Sequence, residues 1–207
     1  MNKLFGAALV TVCIFLSSCG GAGSSLPKIG SVDIQMLSNE SELTKVYDVI
    51  LQVTGDNIKK MEEMSIYVSS PSIEKGRENR EDGFDLTVYY LYPKDKNKLY
   101  QVSYNSEVGW QEFVNNVELH HDVNAESFVL EEEMFDLSSF TAEKLFQIVQ
   151  DALVKYKDEK KYSVQYVKNI DIKYDGVEVT IYGRLASNNI EQKHYYKADF
   201  DGVALKR

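Results

Sequence analysis

Two octapeptides with the same pattern decide the fold of this chain. They read Asp82-Gly83-Phe84-Asp85-Leu86-Thr87-Val88-Tyr89 and Asp175-Gly176-Val177-Glu178-Val179-Thr180-Ile181-Tyr182. Each begins with a turn-forming Asp-Gly dipeptide and continues with alternating apolar and polar residues. This alternation predicts a strand with one buried and one outward-facing side, and the shared register predicts a tandem repeat.

The segments around the octapeptides match as well. One predicted strand precedes each octapeptide and another returns after it, at residues 64–68 and 98–104 in the first half and at residues 162–167 and 192–200 in the second. The connections between consecutive strands are short, which predicts antiparallel pairing.

An amphipathic helix is predicted before the strands of the first half. Apolar residues recur there at three- and four-residue spacing over residues 43–61. Asn39 and Glu42 have the spacing of a capping box at the start of this helix. Gly55 lies inside the pattern and is expected to weaken or kink the helix.

The second half carries an equivalent helix pattern over residues 145–156, with Ser139 or Thr141 as the N-cap. We therefore expect an α+β fold of two tandem units, at residues 32–105 and 139–207. Each unit would be a helix packed on one face of a three-stranded antiparallel sheet. Residues 106–138 would form a linker whose structure stays open. It combines a helix-like spacing of Trp110, Phe113, Val114 and Val117 with a short strand-like segment at 127–130.

The first residues are typical of an export signal. Lys3 precedes an apolar run, residues 4–16, that is too short to span a bilayer as a helix. The run ends in Leu16-Ser17-Ser18-Cys19-Gly20, which resembles the lipobox of bacterial lipoproteins. The resemblance implies a signal peptide at residues 1–18 and a lipid-carrying Cys19 as the first mature residue; an ordinary cleavage site with an incidental cysteine is the alternative.

Residues 19–31 are rich in glycine and serine and are expected to be a flexible tether. Gly20 is not the aspartate that often retains lipoproteins in the inner membrane, and residues 21–25 lack the acidic cluster of many surface-exported ones. The resemblance to lipoproteins therefore implies an outer-membrane protein that faces the periplasm. Cys13 would be removed with the signal, so the mature chain would have neither a disulfide nor a second thiol.

The duplicated helix-plus-three-strand pattern in an exported acidic chain resembles the PepSY-like and β-lactamase-inhibitor-protein-like folds of Bacteroidetes-type lipoproteins. The resemblance covers residues 32–207 and implies a non-enzymatic binding or inhibitory module. The absence of paired cysteines differs from the disulfide-bearing inhibitor proteins.

Composition excludes one class of partner and favours a sheet. The net charge of −9 argues against nucleic acid, because binding a phosphate backbone requires clustered lysine and arginine. The chain is 43% hydrophobic with only three prolines, which is too apolar for a disordered protein. Fourteen tyrosines and nine phenylalanines favour half-buried strands.

The residues that could carry chemistry do not form a catalytic or metal-binding pattern. His120 and His121 are adjacent, near Glu118 and Asp122, but adjacent residues of a strand point to opposite faces. The acidic run 131–133 lacks the spacing of a calcium loop and is expected to be a solvated surface. We find no nucleophile elbow and no phosphate-binding glycine loop, and we expect no enzyme, metal or cofactor.

Strand alternation also predicts a common outward face. If Leu86 and Val179 face the helices, the neighbouring residues on the same strands face away from them. The predicted binding residues on this face are Tyr89, Leu91, Tyr182, Arg184 and Tyr195. Tyrosine and arginine are enriched in binding hot spots. The alternatives are that the linker covers this face, or that tyrosine is present because it suits strands.

These observations predict an outer-membrane lipoprotein with a non-catalytic module that binds another envelope protein or a peptide. Binding of a glycan or another small ligand is the alternative, and a concave cleft lined with stacking rings would favour it. A hydrolase would require a pocket in which a histidine converges with Asp or Glu.

The lipobox generates the first testable prediction. Cys19→Ala should abolish lipidation, because the thioether to the lipid cannot form without the cysteine sulfur. The variant should leave the membrane fraction and lose incorporation of labelled palmitate. Retention of both properties by the variant would contradict the lipoprotein interpretation.

Overall fold

A computed structural model describes residues 29, 32–76, 81–117 and 128–206. The predicted signal peptide, Cys19 and the His120–His121 pair lie outside the described residues. The helices are α1 (Glu40–Thr54), α2 (Pro71–Lys75) and α3 (Ala142–Tyr156). The strands are β1 (Met61–Ser69), β2 (Gly83–Leu91), β3 (Lys98–Asn105), β4 (Gly109–Asn116), β5 (Tyr162–Lys173), β6 (Gly176–Leu185) and β7 (Glu191–Ala198). Short 3₁₀ helices occupy Met36–Ser38, Gly55–Lys59 and Leu130–Glu133.

All of these strands belong to one antiparallel sheet in the order β4-β3-β2-β1-β5-β6-β7. The predicted α+β class and antiparallel pairing are confirmed. The strands of the two halves are not separate small sheets, because β1 pairs with β5 between Glu63–Tyr67 and Asn169–Lys173. This pairing makes β1 and β5 central strands of a continuous sheet.

Helices α1 and α3 pack side by side on one face of the sheet. The apolar stripes predicted for them are buried in this core, with Leu43, Tyr47 and Ile50 from α1 and Leu145, Ile148 and Val149 from α3 all at most 2% exposed. The Tyr47 hydroxyl donates to the carbonyl of Phe140 at 2.8 Å, which satisfies its polar group within the core. No helix of the described part of the chain is long and apolar enough to cross a membrane.

Helix ends follow local chemistry. Asn39 caps α1 by accepting the backbone N–H of Glu42 at 3.2 Å, and Thr141, not Ser139, caps α3 by accepting that of Lys144 at 3.2 Å. The prediction that the first helix continues to Met61 is wrong. It ends at Thr54, because the C-cap Gly55 has a φ of +51°, and Met61 is the first residue of β1.

The two Asp-Gly dipeptides enter their strands differently. Asp175 and Gly176 close a tight hairpin, in which Lys173 pairs with Gly176. Gly176 has a φ of +121°, and a Cβ there would lie 2.2 Å from the Ala198 carbonyl oxygen, so only glycine fits. Asp82 and Gly83 do not form the expected tight turn, because residues 70–82, including α2, connect β1 to β2.

The stretch 106–138 contains β4, a strand in the same sheet. Its hairpin with β3 is built by Asn105, whose side-chain oxygen accepts the N–H groups of Glu107 at 2.8 Å and Val108 at 3.2 Å. Gly109 then adopts a φ of +79°. An asparagine followed by a short loop and a glycine is a recognisable hairpin signal. The helix-like spacing of Trp110 and Phe113 is therefore not a helix.

Candidate functional site

The face of the sheet opposite α1 and α3, called here the open face, carries all of the predicted binding residues. Cross-strand pairing places Tyr89 beside Gln101, Tyr182 beside Lys193 and Tyr195 beside Thr180 on this face. The directions of the predicted side chains were therefore correct, because strand alternation fixes them. Their exposure is a separate matter.

Only part of the predicted surface is exposed to solvent. Tyr195 is 38% exposed, and Tyr89 and Arg184 are partly buried. Leu91 is 4% exposed and Tyr182 is fully buried, so the expectation that these two residues form an exposed binding surface is wrong. The residues packed against Tyr182 explain its burial.

The ring of Tyr182 is enclosed by β5 on the open face. Its centroid lies 5.1 Å from that of Tyr166, and the Lys168 Nζ lies 5.3 Å from it. A β-bulge between Val167 and Asn169 explains this arrangement, because Lys168 is an extra residue in β5 relative to β6. In a regular strand Tyr166 and Ile170 would lie on the same face, because four residues separate them. The bulge reverses the alternation, so Tyr166 lies on the open face and Ile170 on the helix side.

Helix α2 lies across this part of the open face and is held there by Glu74. The Glu74 carboxylate accepts the Tyr166 hydroxyl at 2.5 Å and the Ser70 backbone N–H at 3.0 Å, and it pairs with the Lys168 ammonium. The side chains of Lys168 and Glu74 are 9% and 10% exposed. We call Ser70, Glu74, Tyr166 and Lys168 the Glu74 clamp.

Electrostatics in the Glu74 clamp favour the ionised pair. Burial raises the pKa of Glu74, but bonds from Lys168, Tyr166 and Ser70 outweigh burial and hold that pKa below its ordinary value. Burial lowers the pKa of Lys168, but the Glu74 carboxylate has the larger opposite effect. The pKa of Lys168 is therefore above its ordinary value. Burial, with the adjacent Glu74 carboxylate, raises the pKa of Tyr166, so its hydroxyl remains a donor.

Besides Tyr195 on β7, an accessible part of the open face lies on the other side of α2, on β2, β3 and β4. Tyr89 pairs with Gln101, which pairs with Phe113, so the three side chains form one row across the strands. Leu99 and Asn115 form the next row, and Asn115 donates to the Gln101 side chain at 3.0 Å. We call these residues the wing surface. Phe113 is 46% exposed.

Carboxylates border the wing surface at Tyr89. Burial, followed by Glu63 and Glu62, raises the pKa of the Tyr89 hydroxyl. The pKa of Glu62 is itself raised, by burial and by the neighbouring Glu63. Glu63 also pairs with Lys173 at 3.1 Å. The two carboxylates outnumber this one ammonium, so the border favours a basic partner.

Aromatic contacts hold the wing in place from the helix side. Tyr104 lies between Phe84 and Trp110, with ring centroids 6.2 Å and 5.0 Å away. Tyr100 contacts Tyr90 and Tyr92, each with a centroid distance of 5.5 Å. These aromatic pairs join β2, β3 and β4, so the wing surface is carried on a packed part of the sheet.

The two edges of the sheet differ. At the β7 edge, Ala204 bridges to Ala198 and the Leu205 N–H donates to the Lys197 carbonyl at 2.8 Å. The outer side of β4 has no neighbouring strand among the described residues. Its Phe113 and Val114 point to opposite faces and are each 46% exposed. β4 is therefore the edge that can accept an added strand.

A cleft of about 650 Å³ lies where the first described residues meet the end of α3 and the start of β5. Its lining includes Gln35, Gln150, Gln165 and one aromatic residue, Tyr162. Tyr162 is 5% exposed, and its ring lies over Gly183, where a Cβ would be 2.7 Å from it. The cleft therefore has little ring area on which a sugar could stack.

His194 lies beside this cleft on the helix side of β7. Its Nε2 is 2.6 Å from the Tyr162 hydroxyl, and its ring stacks on Tyr156 with centroids 4.9 Å apart. Burial, followed by Lys161, lowers the pKa of His194, so the ring is neutral at pH 7. The hydrogen-bond partner of His194 is the Tyr162 hydroxyl, whereas a hydrolase pocket would place Asp or Glu beside the histidine.

Within the described ranges no three His, Cys, Asp or Glu side chains converge on a position for a metal ion. The candidate ligands Glu118, His120, His121 and Asp122 lie outside those ranges. Glu131, at the start of the acidic run, pairs with Lys60 and Lys96. These bonds hold the pKa of Glu131 at about 2.

No family model, curated protein or solved structure matches this chain. The functional argument therefore depends on the residues and their geometry.

The Glu74 clamp predicts a pH-dependent contribution to stability. Glu74→Gln should lower the free energy of unfolding at pH 7 by about 3 kcal/mol, because it leaves Lys168 charged and unpaired. The folded pKa of Glu74 is lowered, so the contribution is complete above the unfolded pKa near 4.3 and is lost as the pH falls through the folded value. Urea unfolding at pH 7 and at pH values below about 4 measures both effects.

The double variant Glu74→Met, Lys168→Met is the matched control for the clamp. It should recover part of the loss, since no lone charge remains buried. An equal loss for Glu74→Gln at neutral and acidic pH would contradict the ionised pair.

The burial of Tyr182 predicts a stability difference between two tyrosines in equivalent octapeptide positions. Tyr182→Ala should lower the free energy of unfolding by about 3–5 kcal/mol, the cost of emptying a large buried site. Tyr89→Ala should cost about 1 kcal/mol, because Tyr89 already contacts solvent. Chemical denaturation of both variants measures the difference, and equal losses would contradict the assignment of Tyr182 to the interior.

Proposed function

We propose that this protein is a lipid-anchored, non-catalytic binding protein of the cell envelope that captures an extended segment of another envelope protein. The observation that carries the proposal is the wing surface beside the open β4 edge. Cys19 would anchor the chain in the outer membrane with the folded part in the periplasm, and residues 19–31 would provide reach. The activity is docking, with no cofactor and no covalent step.

The finer proposal for the fold is a pair of helix-plus-three-strand units. Two facts support it: the order helix, strand, strand, strand occurs twice, and the matching octapeptides form β2 and β6. β4 and α2 have no counterparts in the second half. Under this proposal, additions to the first unit supply both the wing and the segment that covers Tyr182.

The chemistry of the wing surface favours a peptide partner. Phe113 and Tyr89 provide apolar ring area, and Gln101 between them provides an amide for hydrogen bonds. The outer backbone groups of β4 can pair with an added strand, which gives affinity without a deep pocket. Glu62 and Glu63 lie at the border with one neutralising cation, Lys173, which pairs with Glu63 at 3.1 Å, and the remaining negative charge favours lysine or arginine in the bound segment.

The same observations weigh against the glycan alternative. Sugar binding is favoured by a concave cleft with exposed rings, and the large cleft has a single, 5% exposed aromatic residue. The wing surface is instead a strip along an edge strand with rings spaced across neighbouring strands. A protein or peptide partner fits this strip better than a saccharide.

A photo-crosslinking amino acid at position 113 tests this proposal in intact cells. It should give one discrete crosslinked product, whereas the same amino acid at Tyr174, a 74% exposed residue of the β5–β6 turn, should not. Phe113→Lys should reduce capture of that product about tenfold, the effect of losing one hot-spot contact, and Tyr174→Lys should leave it unchanged. Both variants should unfold within about 1 kcal/mol of the parent.

Equal crosslinking at positions 113 and 174 would contradict a specific wing surface. Capture that survives Phe113→Lys but is lost with a substitution in the large cleft, such as Gln165→Ala, would move the binding site to that cleft.

A further inference from the structure

An exposed cluster of lysines lies at the end of the sheet where β5 begins. The members are Lys155, Lys157, Lys160, Lys161 and Lys193, all exposed, and we call them the lysine corner. They come from the end of α3, the following turn and the start of β7. Pairing of Tyr162 with Leu185 and of Arg184 with Glu191 shows that these segments meet at the same end of the sheet.

Most nearby carboxylates already have partners. Glu159 pairs with Lys157 at 3.3 Å and Glu191 pairs with Arg184 at 3.8 Å. Asp158 accepts the backbone N–H groups of Lys160 at 3.1 Å and Lys161 at 3.2 Å. The corner is locally positive because its five lysines, with Arg184, outnumber the three nearby carboxylates at residues 158, 159 and 191, although the whole chain has a net charge of −9.

The N-terminal side of the chain enters the fold at this same end. Ile34 and Gln35 line the large cleft together with Lys157 and Glu159. The segment that leads to Cys19 therefore joins the folded part beside the lysines. The opposite end of the sheet, where β5 ends at Lys173, lies a strand length away.

An apolar tip lies next to the lysines. Ile190, in the β6–β7 turn, is 58% exposed. The same turn is bonded to the lysine segment, because the Ala186 N–H donates to the Lys161 carbonyl at 3.0 Å. Lysines around an exposed isoleucine match a membrane interface, where cations meet anionic headgroups and an apolar side chain enters the boundary region.

We propose that the lysine corner docks on an anionic phospholipid surface and orients the protein on the membrane that holds its lipid anchor. This inference depends on the proposed anchoring at Cys19. Anchoring raises the local concentration of the corner at the bilayer, so several weak lysine contacts suffice. In this orientation the strands run perpendicular to the membrane plane. The open face and the β4 edge are then directed parallel to the membrane surface and remain accessible from the periplasm.

The experiment uses the full lipidated chain in vesicles with a polarity-sensitive fluorophore on Ile190→Cys. The matched control is the same label on Tyr174→Cys, a hairpin tip at the opposite end of the sheet. On vesicles of phosphatidylethanolamine and phosphatidylglycerol, the label at 190 should be at least twofold brighter than on phosphatidylcholine vesicles. The label at 174 should not change, and high salt should remove the gain.

Charge-reversal variants connect the signal to the lysines. Lys160→Glu, Lys161→Glu should lose the gain at position 190, whereas Lys59→Glu, Lys94→Glu, an equal charge change at the opposite end, should keep it. These side chains are all exposed, so the variants should fold normally. Equal signals at 190 and 174, or equal losses for the two charge reversals, would overturn the proposal.

Failure of anchoring is measured separately by flotation of the chain with the vesicles. If the chain does not float with phosphatidylcholine vesicles, the proposed anchoring is wrong, and the corner is then tested with the Cys19→Ala chain. That chain should sediment with phosphatidylglycerol vesicles in a salt-sensitive way, and Lys160→Glu, Lys161→Glu should weaken this binding at least fivefold. Binding to isolated peptidoglycan in place of these vesicles would overturn the lipid assignment.

Discussion

The antiparallel pairing of β1 with β5 is the contact on which the rest of the structure depends. It joins the four strands that follow α1 to the three strands that follow α3, and it places the two helices next to each other over the joint. Ile66 and Ile170 face each other in this pairing and are both fully buried. Each set of strands alone would leave one side of its helix uncovered, so the core exists only because the sets are joined.

One extra residue in β5 then makes the two halves of the sheet different. Lys168 occurs in a bulge, and its ammonium is directed to the open face, where Glu74 of α2 binds it. The charge is stabilised by a carboxylate and by the rings of Tyr67 and Tyr182, 5.4 Å and 5.3 Å away. As a result α2 covers one part of the open face, and the β2–β4 part stays accessible.

Sequence periodicity predicted the positions of strands and helices better than it predicted where they end or which of their residues are buried. The alternation at residues 84–89 and 177–182 was sufficient for two strands, and the apolar spacing at residues 145–156 was sufficient for a helix. The burial of Tyr182 could not be predicted from its own strand. It depends on a bulge in the neighbouring strand β5 and on the bond between Tyr166 and Glu74, which lies in a distant segment of the chain. β4 could have been predicted from Asn105 and Gly109, whose turn chemistry outweighs the helix-like spacing that follows.

The unequal edges of the sheet limit how this protein can assemble. A strand added to β4 extends the sheet on that side, whereas the C-terminal residues at Ala204 and Leu205 occupy part of the β7 edge, and Lys193 and Lys197 place charge along it. Two copies that met through their β4 edges would leave only the partly occupied and charged β7 edges for further pairing. Growth by edge addition is therefore disfavoured beyond two chains, which limits the formation of open-ended fibres.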